Sequence, residues 1–267
     1  MLKNITLGQY IPGKSLLHRA DPRTKMIWII VLMVAVFATN NIYCYIMMIA
    51  LTGIILAISE VPVSYTLRGI KPLLIILIIT FIVNIFTYPG TKVLLNIGVL
   101  KVTLEGVVQS IIVAIRLSLI VVLGSILTLT TTPIALTDGL ESLFKPLKKL
   151  KVPVHEMSMM MSIALRFIPT LMEETDRIIK AQASRGADFD TGNLLERAKS
   201  FIPVLIPLFV SAFKRAEDLA TAMESRCYRG GEGRTRMKQL AYTAVDAKIS
   251  LFMAAFLIVF VLTAFVI

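Results

Sequence analysis

Two tripeptides, Ser184-Arg185-Gly186 and Ser225-Arg226-Cys227, stand 41 residues apart and have similar surroundings. Alanines lie just upstream of each, Ala181 and Ala183 before one and Ala220 and Ala222 before the other. At eight, nine, eleven and twelve residues before each arginine the residues are charged: Arg177, Asp176, Glu174 and Glu173 in the first copy, Asp218, Glu217, Arg215 and Lys214 in the second. A pattern repeated at a fixed offset reads as a duplicated helix whose C-terminal end presents one arginine. Guanidinium chemistry suits such a handle, because the group keeps its charge and offers five donors in a fixed fork to a carboxylate. The plainer alternative is that each cation complements the macrodipole at a helix C-terminus.

Other reactive residue types are scattered. Gly8-Gln9-Tyr10-Ile11-Pro12-Gly13-Lys14-Ser15 matches a phosphate-loop pattern, but that chemistry needs a strand before the loop and a helix after it. Only seven residues precede Gly8, and Asp21-Pro22 interrupts the segment soon after Ser15, so the match reads as coincidence. His18 and His155 are far apart, and Cys44 and Cys227 have no companions at metal-ligand spacing. No metal site and no catalytic set is expected, so the chain is not expected to be an enzyme. Arg116 lies within a long apolar run, where a charge is expensive and by default functional. It equally fits a group facing the protein interior and bonding to backbone carbonyls or a polar neighbour such as Asn84. Met157, Met159, Met160 and Met161 form a polarizable patch that suits either a core or a surface fitting several partners.

The elements that must hold these residues are mostly apolar. Of 267 residues 56% are hydrophobic and 17% charged, against ~25% charged in a typical soluble domain, which excludes an ordinary soluble fold. Apolar runs approaching the length of a bilayer core occur at 26–39, 42–58, 73–88, 107–132 and 249–267. The first two are separated only by Asn40-Asn41. Lys3, Lys14, Arg19, Arg23 and Lys25 precede the first run, and 133–248 carries 18 of the 28 basic residues, so the positive-inside rule places both on the cytoplasmic side. The expected fold is an all-α, polytopic membrane protein of about five crossings, N-terminus in and C-terminus out. Its parts are a cytoplasmic segment 1–25, four spans within 26–132, a cytoplasmic module 133–248 and a last span 249–267. The net charge of +11 is then mostly a topology signal rather than a nucleic-acid footprint, since the aromatics are mostly inside the apolar runs.

The module's pattern is helical. Apolar positions recur every three or four residues from Met157 to Ile179, and Gly186 supplies a left-handed stop. Leu136, Leu140, Leu143 and Leu147 align along a shorter segment, 136–149. A third helix is expected over 201–224; its first half, with Pro203 and Pro207, is too short to cross a bilayer.

Tyr10-Ile11-Pro12-Gly13, the run Leu17-His18-Arg19-Ala20-Asp21-Pro22-Arg23-Thr24-Lys25, the segment 133–149, the stretch Ala164-Leu165-Arg166-Phe167-Ile168-Pro169 and the two arginine motifs together resemble the transmembrane T component of energy-coupling factor transporters. The likeness covers essentially the whole chain. In that family the second motif commonly reads Ala-Arg-Gly or similar, whereas Cys227 stands here in place of the glycine.

The resemblance implies a multi-pass protein of a prokaryotic cell membrane, a non-catalytic scaffold in a vitamin or micronutrient importer. It would join two ABC-type ATPases, similar or identical, to a small substrate-binding S component, either a single one or one of several interchangeable ones. Ser184, Arg185 and Gly186 with Ser225, Arg226 and Cys227 would dock the ATPases, and Met157, Met160 and Met161 would face the S component. ATP and magnesium would belong to the ATPases, with no cofactor on this chain. The rival expectation is a conventional ABC permease subunit with its own substrate pathway, which would line a cavity with polar residues across several spans.

Overall fold

The computed structural model describes residues 10–39, 41–89, 93–97, 100–189, 191, 193–230 and 239–266. Gly8 and Gln9 of the phosphate-loop match, and Asn40 of the first turn, lie outside them. Two units form: residues 8–139 with 240–267, and residues 140–239.

The first unit holds the long apolar helices. A four-residue helix α1 (Leu16–Arg19) leads to α2 (Pro22–Ala38), which Asp21 caps by accepting from the Arg23 N–H, with Pro22 at the first helical position where no donor is needed. Then come α3 (Ile42–Ser59), α4 (Val63–Ile70), α5 (Leu74–Thr87), α6 (Leu104–Thr130) and α11 (Ala244–Val266), the last following four helices that lead through the second unit. A 3₁₀ turn containing Pro72 joins α4 to α5, so the expected run 73–88 becomes the far part of an apolar stretch reaching back to Val63. Between α5 and α6 the expected loop contains an antiparallel hairpin, β1 (Val93–Ile97) with β2 (Leu100–Thr103), and Thr103 then caps α6.

Four helical stretches among the described residues are long and apolar enough to cross a membrane: Ile42–Ser59, Val63–Thr87, Leu104–Thr130 and Ala244–Phe265. The expected first crossing, α2, has 17 residues. That is roughly 25 Å of helix, a little short of a ~30 Å hydrocarbon core.

The core lies between α2, α3, α6 and α11, where Leu32, Val36, Met48, Leu51, Leu123, Ile126 and Phe260 are buried together. Around it, Ile75, Ile79 and Val83 of α5 and Leu251, Ile258 and Leu262 of α11 are exposed. Lipid solvates such side chains as well as a protein core does, so close packing rather than water exclusion must hold these helices together. Small residues allow it: a Cβ at Gly106 would lie 3.1 Å from the Ile85 carbonyl oxygen, and one at Gly69 2.7 Å from the Ser125 hydroxyl. Several hydroxyls inside the unit bond to their own helices, Thr52 to the Met48 carbonyl, Ser110 to Gly106 and Ser118 to Ala114, which satisfies them where water is scarce.

The second unit holds α8 (Val154–Ser184), α9 (Leu194–Ser200) and α10 (Ile202–Ser225). α7 (Pro133–Phe144) begins in the first unit and ends in the second. It stops five residues earlier than its leucine pattern suggests, because Pro146 lacks the N–H an α-helix would use and the chain tightens into a 3₁₀ turn, Lys145–Leu150. α8 matches expectation in length and tolerates Pro169. α9 was not expected. Its signal was nonetheless present, a capping box in which Asn193 and Glu196 satisfy each other's backbone N–H groups.

Candidate functional site

The two arginine motifs close their helices in one and the same way. Arg185 is the residue after α8, at φ −90° and ψ 7°; Gly186 follows at φ +88°. The Gly186 N–H donates to the Ala183 carbonyl and the Ala187 N–H to the Gln182 carbonyl, both at 3.0 Å. Arg226 follows α10 at φ −92° and ψ 13°, with Cys227 at φ +57°; Cys227 donates to Glu224 at 2.8 Å and Tyr228 to Met223 at 3.0 Å. These are two Schellman motifs, in which a left-handed residue turns the chain back onto the last free carbonyls. Each arginine is therefore the final residue before a sharp reversal at its helix end. Both are exposed, and neither has a side-chain partner among the described residues. Ser184 and Ser225 are also exposed and return their hydroxyls to Lys180 and Ala222 of their own helices.

Cys227 occupies a conformation that costs a residue with a Cβ about 1 kcal/mol. Cys227→Gly is therefore expected to raise the stability of the protein by about 1 kcal/mol and to leave Arg226 where it is. A higher unfolding temperature in detergent, with partner binding unchanged, would show this.

α8 and α10 lie against each other in opposite directions. Met159 accepts from the Tyr228 hydroxyl at 3.0 Å, Glu174 pairs with Arg215 at 3.0 Å, and Gln182 reaches the Pro203 carbonyl at 3.4 Å. Glu174 and Arg215 each stand eleven residues before their arginine, so the ion pair joins equivalent positions of the two repeats. An antiparallel pair meeting at equivalent positions has an internal two-fold relation, with its axis at that contact. Arg185 and Arg226 thus project toward opposite ends, each roughly 16 Å from the pair and roughly 33 Å from the other. The spacing of these charges was visible in the sequence; that two of them face each other was not.

The Arg226 end has a further tie. His155 Nδ1 lies 3.1 Å from Glu141, and its Nε2 faces the Tyr228 hydroxyl at 3.5 Å. Tyr228, the residue that completes the Schellman turn, is thereby fastened to the start of α8. The sequence singled out no role for it, because it sits in no periodic pattern. Met157, Met160 and Met161 are all about half exposed, at 50%, 59% and 44%, which favours a surface over a core.

Arg116 has an internal role. Its Nε and Nη2 donate to the Tyr45 hydroxyl at 3.0 and 2.7 Å, and Nη2 reaches the Thr39 carbonyl at 3.3 Å. Tyr45 donates its own proton to that same carbonyl at 2.9 Å. Thr39 is the C-terminal cap of α2, so a cation and a phenol from two other helices satisfy the free end of the short helix and complement its dipole. The Thr39 carbonyl that ends these 17 residues is thereby bonded by both groups. Asn84, the partner expected from sequence, donates to Thr80 within its own helix.

The remaining reactive residues do not converge. Ser15 and His18 bond to each other at 2.7 Å, and His18 Nε2 donates to the Ile11 carbonyl. Cys44 is buried and Cys227 exposed.

Comparison with known proteins adds the lineage. The CbiQ family, described as cobalt transport protein, matches residues 13–237. The chain is 58% identical over 250 residues to the energy-coupling factor transporter transmembrane protein EcfT of Ruminiclostridium cellulolyticum, covering 94% of this chain and 93% of that protein. Proteins of the same name from Acidaminococcus fermentans and Bacillus subtilis are 52% and 49% identical; the first alignment covers 99% of this chain and 97% of the relative, the second 93% and 94%. With its long apolar helices, the chain belongs to the EcfT family of energy-coupling factor transporter transmembrane proteins, multi-pass components of the cell membrane.

Proposed function

We propose that this chain is the coupling scaffold of an importer: it docks two ABC-type ATPases at Arg185 and Arg226 and passes their movement to a membrane-embedded, substrate-binding S component. The observation that carries this reading is the antiparallel pair α8 and α10, whose two-fold relation presents one exposed arginine at each end in the same backbone geometry. Two closely similar ATPases form a two-fold partner, and a handle of matching symmetry lets both be gripped alike. ATP and magnesium belong to those subunits, and this chain hydrolyses nothing and binds no cofactor itself. The cargo is a vitamin or other micronutrient, recognised by the S component.

In this reading residues 133–248 lie in the cytoplasm, and α2 counts as the first of five crossings, which puts the N-terminus inside and the C-terminus outside. Basic residues before α2 and throughout 140–239 support that orientation. A permease with its own pathway is less well supported, since Arg116 is engaged in closing a helix end.

Purification of this chain from its own membrane in mild detergent tests the proposal. Two ATPase chains and one or more small membrane proteins should accompany it, whereas transport by the chain and ATPases alone would sink the reading. The half-exposed methionines are the part of the surface that serves several S components, because thioethers adapt to different shapes. In the same purification, a variant carrying Met157→Val, Met160→Val and Met161→Val should lose some small partners more than others; equal retention of all would assign these residues to packing.

A further inference from the structure

The stretch 17–25 is as distinctive in sequence as the arginine motifs, yet docking makes no use of it. In the structure it forms a closed polar knot inside the first unit. Asp21 Oδ1 accepts from the backbone N–H and the Nε of Arg23 at 2.9 and 3.0 Å, and Oδ2 accepts from Nη2 at 2.9 Å. The Asp21 N–H donates to Asp246 Oδ1 at 2.7 Å, while Asp246 Oδ2 accepts from the N–H and hydroxyl of Thr243, both at 2.7 Å. Asp246 so caps α11 and ties it to α2 with the same carboxylate. Lys25 Nζ donates to the carbonyl of Thr130, the last residue of α6, at 3.1 Å. Asp21, Lys25 and Asp246 are 6%, 6% and 2% exposed.

Two more contacts fix where the chain leaves this unit and where it returns. Gly139 of α7 sits so close to the start of α2 that a Cβ would lie 3.1 Å from Pro22 Cβ and 3.3 Å from Met26 Sδ. The next residue, Leu140, belongs to the other unit. On the return, Leu240 is the first residue back, and Tyr242 places its ring 4.1 Å from the Arg23 guanidinium. Outgoing and returning chain are thus pinned to one turn of α2, along with the ends of α6 and α11.

Apolar packing would hold these helix ends together at less cost than buried charges do. What it lacks is direction: greasy surfaces slide, whereas a fully bonded polar network fixes angles. We propose that the first turn of α2, with Asp21, Arg23, Lys25, Gly139, Tyr242 and Asp246, is the anchor through which movement of 140–239 is transmitted to the membrane-spanning helices. They are positioning residues; they touch neither nucleotide nor cargo. The proposal rests on the coupling-scaffold reading and adds where force crosses into the spans.

The test is hydrogen–deuterium exchange on the complex as purified with its ATPases and S component, with magnesium and either ADP or a non-hydrolysable ATP analogue. In the wild type, nucleotide should change exchange in peptides from 140–239 and in peptides from the ends of α2, α6 and α11. In Asp246→Asn the first change should persist, ATP hydrolysis and ATPase retention should be unchanged, and the second change should fall to about a third or less. Equal responses of the helix-end peptides in wild type and variant would overturn the anchor. If nucleotide changes nothing in 140–239 of the wild type, the coupling reading itself fails, and the anchor with it. Should Asp246→Asn not assemble, Tyr242→Leu and Gly139→Ala decide on the same criteria. The tyrosine is exposed, and the added methyl asks its neighbours to shift by only tenths of an ångström.

Discussion

Reversing both charges, Arg185→Glu with Arg226→Glu, is expected to leave the protein in the membrane and to reduce the ATPase that accompanies it by about tenfold or more. Both arginines are exposed and neither is engaged by another side chain among the described residues, so nothing in the fold depends on their charge beyond the helix dipole. If complementing that dipole were their whole purpose, reversal would cost ~0.3–1 kcal/mol at each end and the partners would stay. If each fills an acidic groove, reversal sets like charges against each other in a place from which water has been displaced, and binding collapses. Single variants sharpen the test. The arginines stand at opposite ends of the helix pair, so one reversal should loosen one ATPase before the other. Arg→Lys at either site should weaken docking less, since the charge remains while the planar fork is lost. Unchanged co-purification in the double variant would refute docking at these ends.

The helix ends were legible in the sequence because their determinants are local. A left-handed stop needs Gly or a substitute, an arginine ahead of it needs only its place in the repeat, and both are written within a few residues. The apolar runs were legible for the same reason, although Pro72 and Pro146 moved the boundaries of the elements around them. What could not be read was which charges meet. Glu174 and Arg215 are opposite in sign and equal in offset, but their pairing follows from the antiparallel packing of two helices joined through α9, a tertiary outcome. The anchor around Asp21 joins residues more than two hundred positions apart. Its sequence signal was the stretch 17–25 itself, polar and proline-interrupted before an apolar run, which could be recognised without being explained. The hairpin β1–β2 escaped notice because nine residues with little alternation carry a weak strand signal beside strongly apolar helices.

Arg116 met the same limit, since its partner too is set by tertiary packing. Sequence offered Asn84, the polar residue of a neighbouring run; the structure offers Tyr45, which is 3% exposed and lies on the helix after the one whose end Arg116 closes. Tyr45→Phe keeps the ring but removes the acceptor of two guanidinium bonds and the donor to Thr39. That change is expected to cost about 2 kcal/mol, as when hydrogen bonds to a charged group are lost. Arg116→Met alone leaves a hydroxyl that still bonds to Thr39, and should cost less. The double variant replaces charge and hydroxyl by apolar groups of similar shape, so it should recover part of the loss from Tyr45→Phe, giving a coupling of about 1 kcal/mol or more. Unfolding measured in detergent on the four proteins of this cycle would report it. Additive costs, or an Arg116→Met protein of unchanged stability that no longer supports transport, would mean that Arg116 acts on cargo or partner rather than on the end of α2.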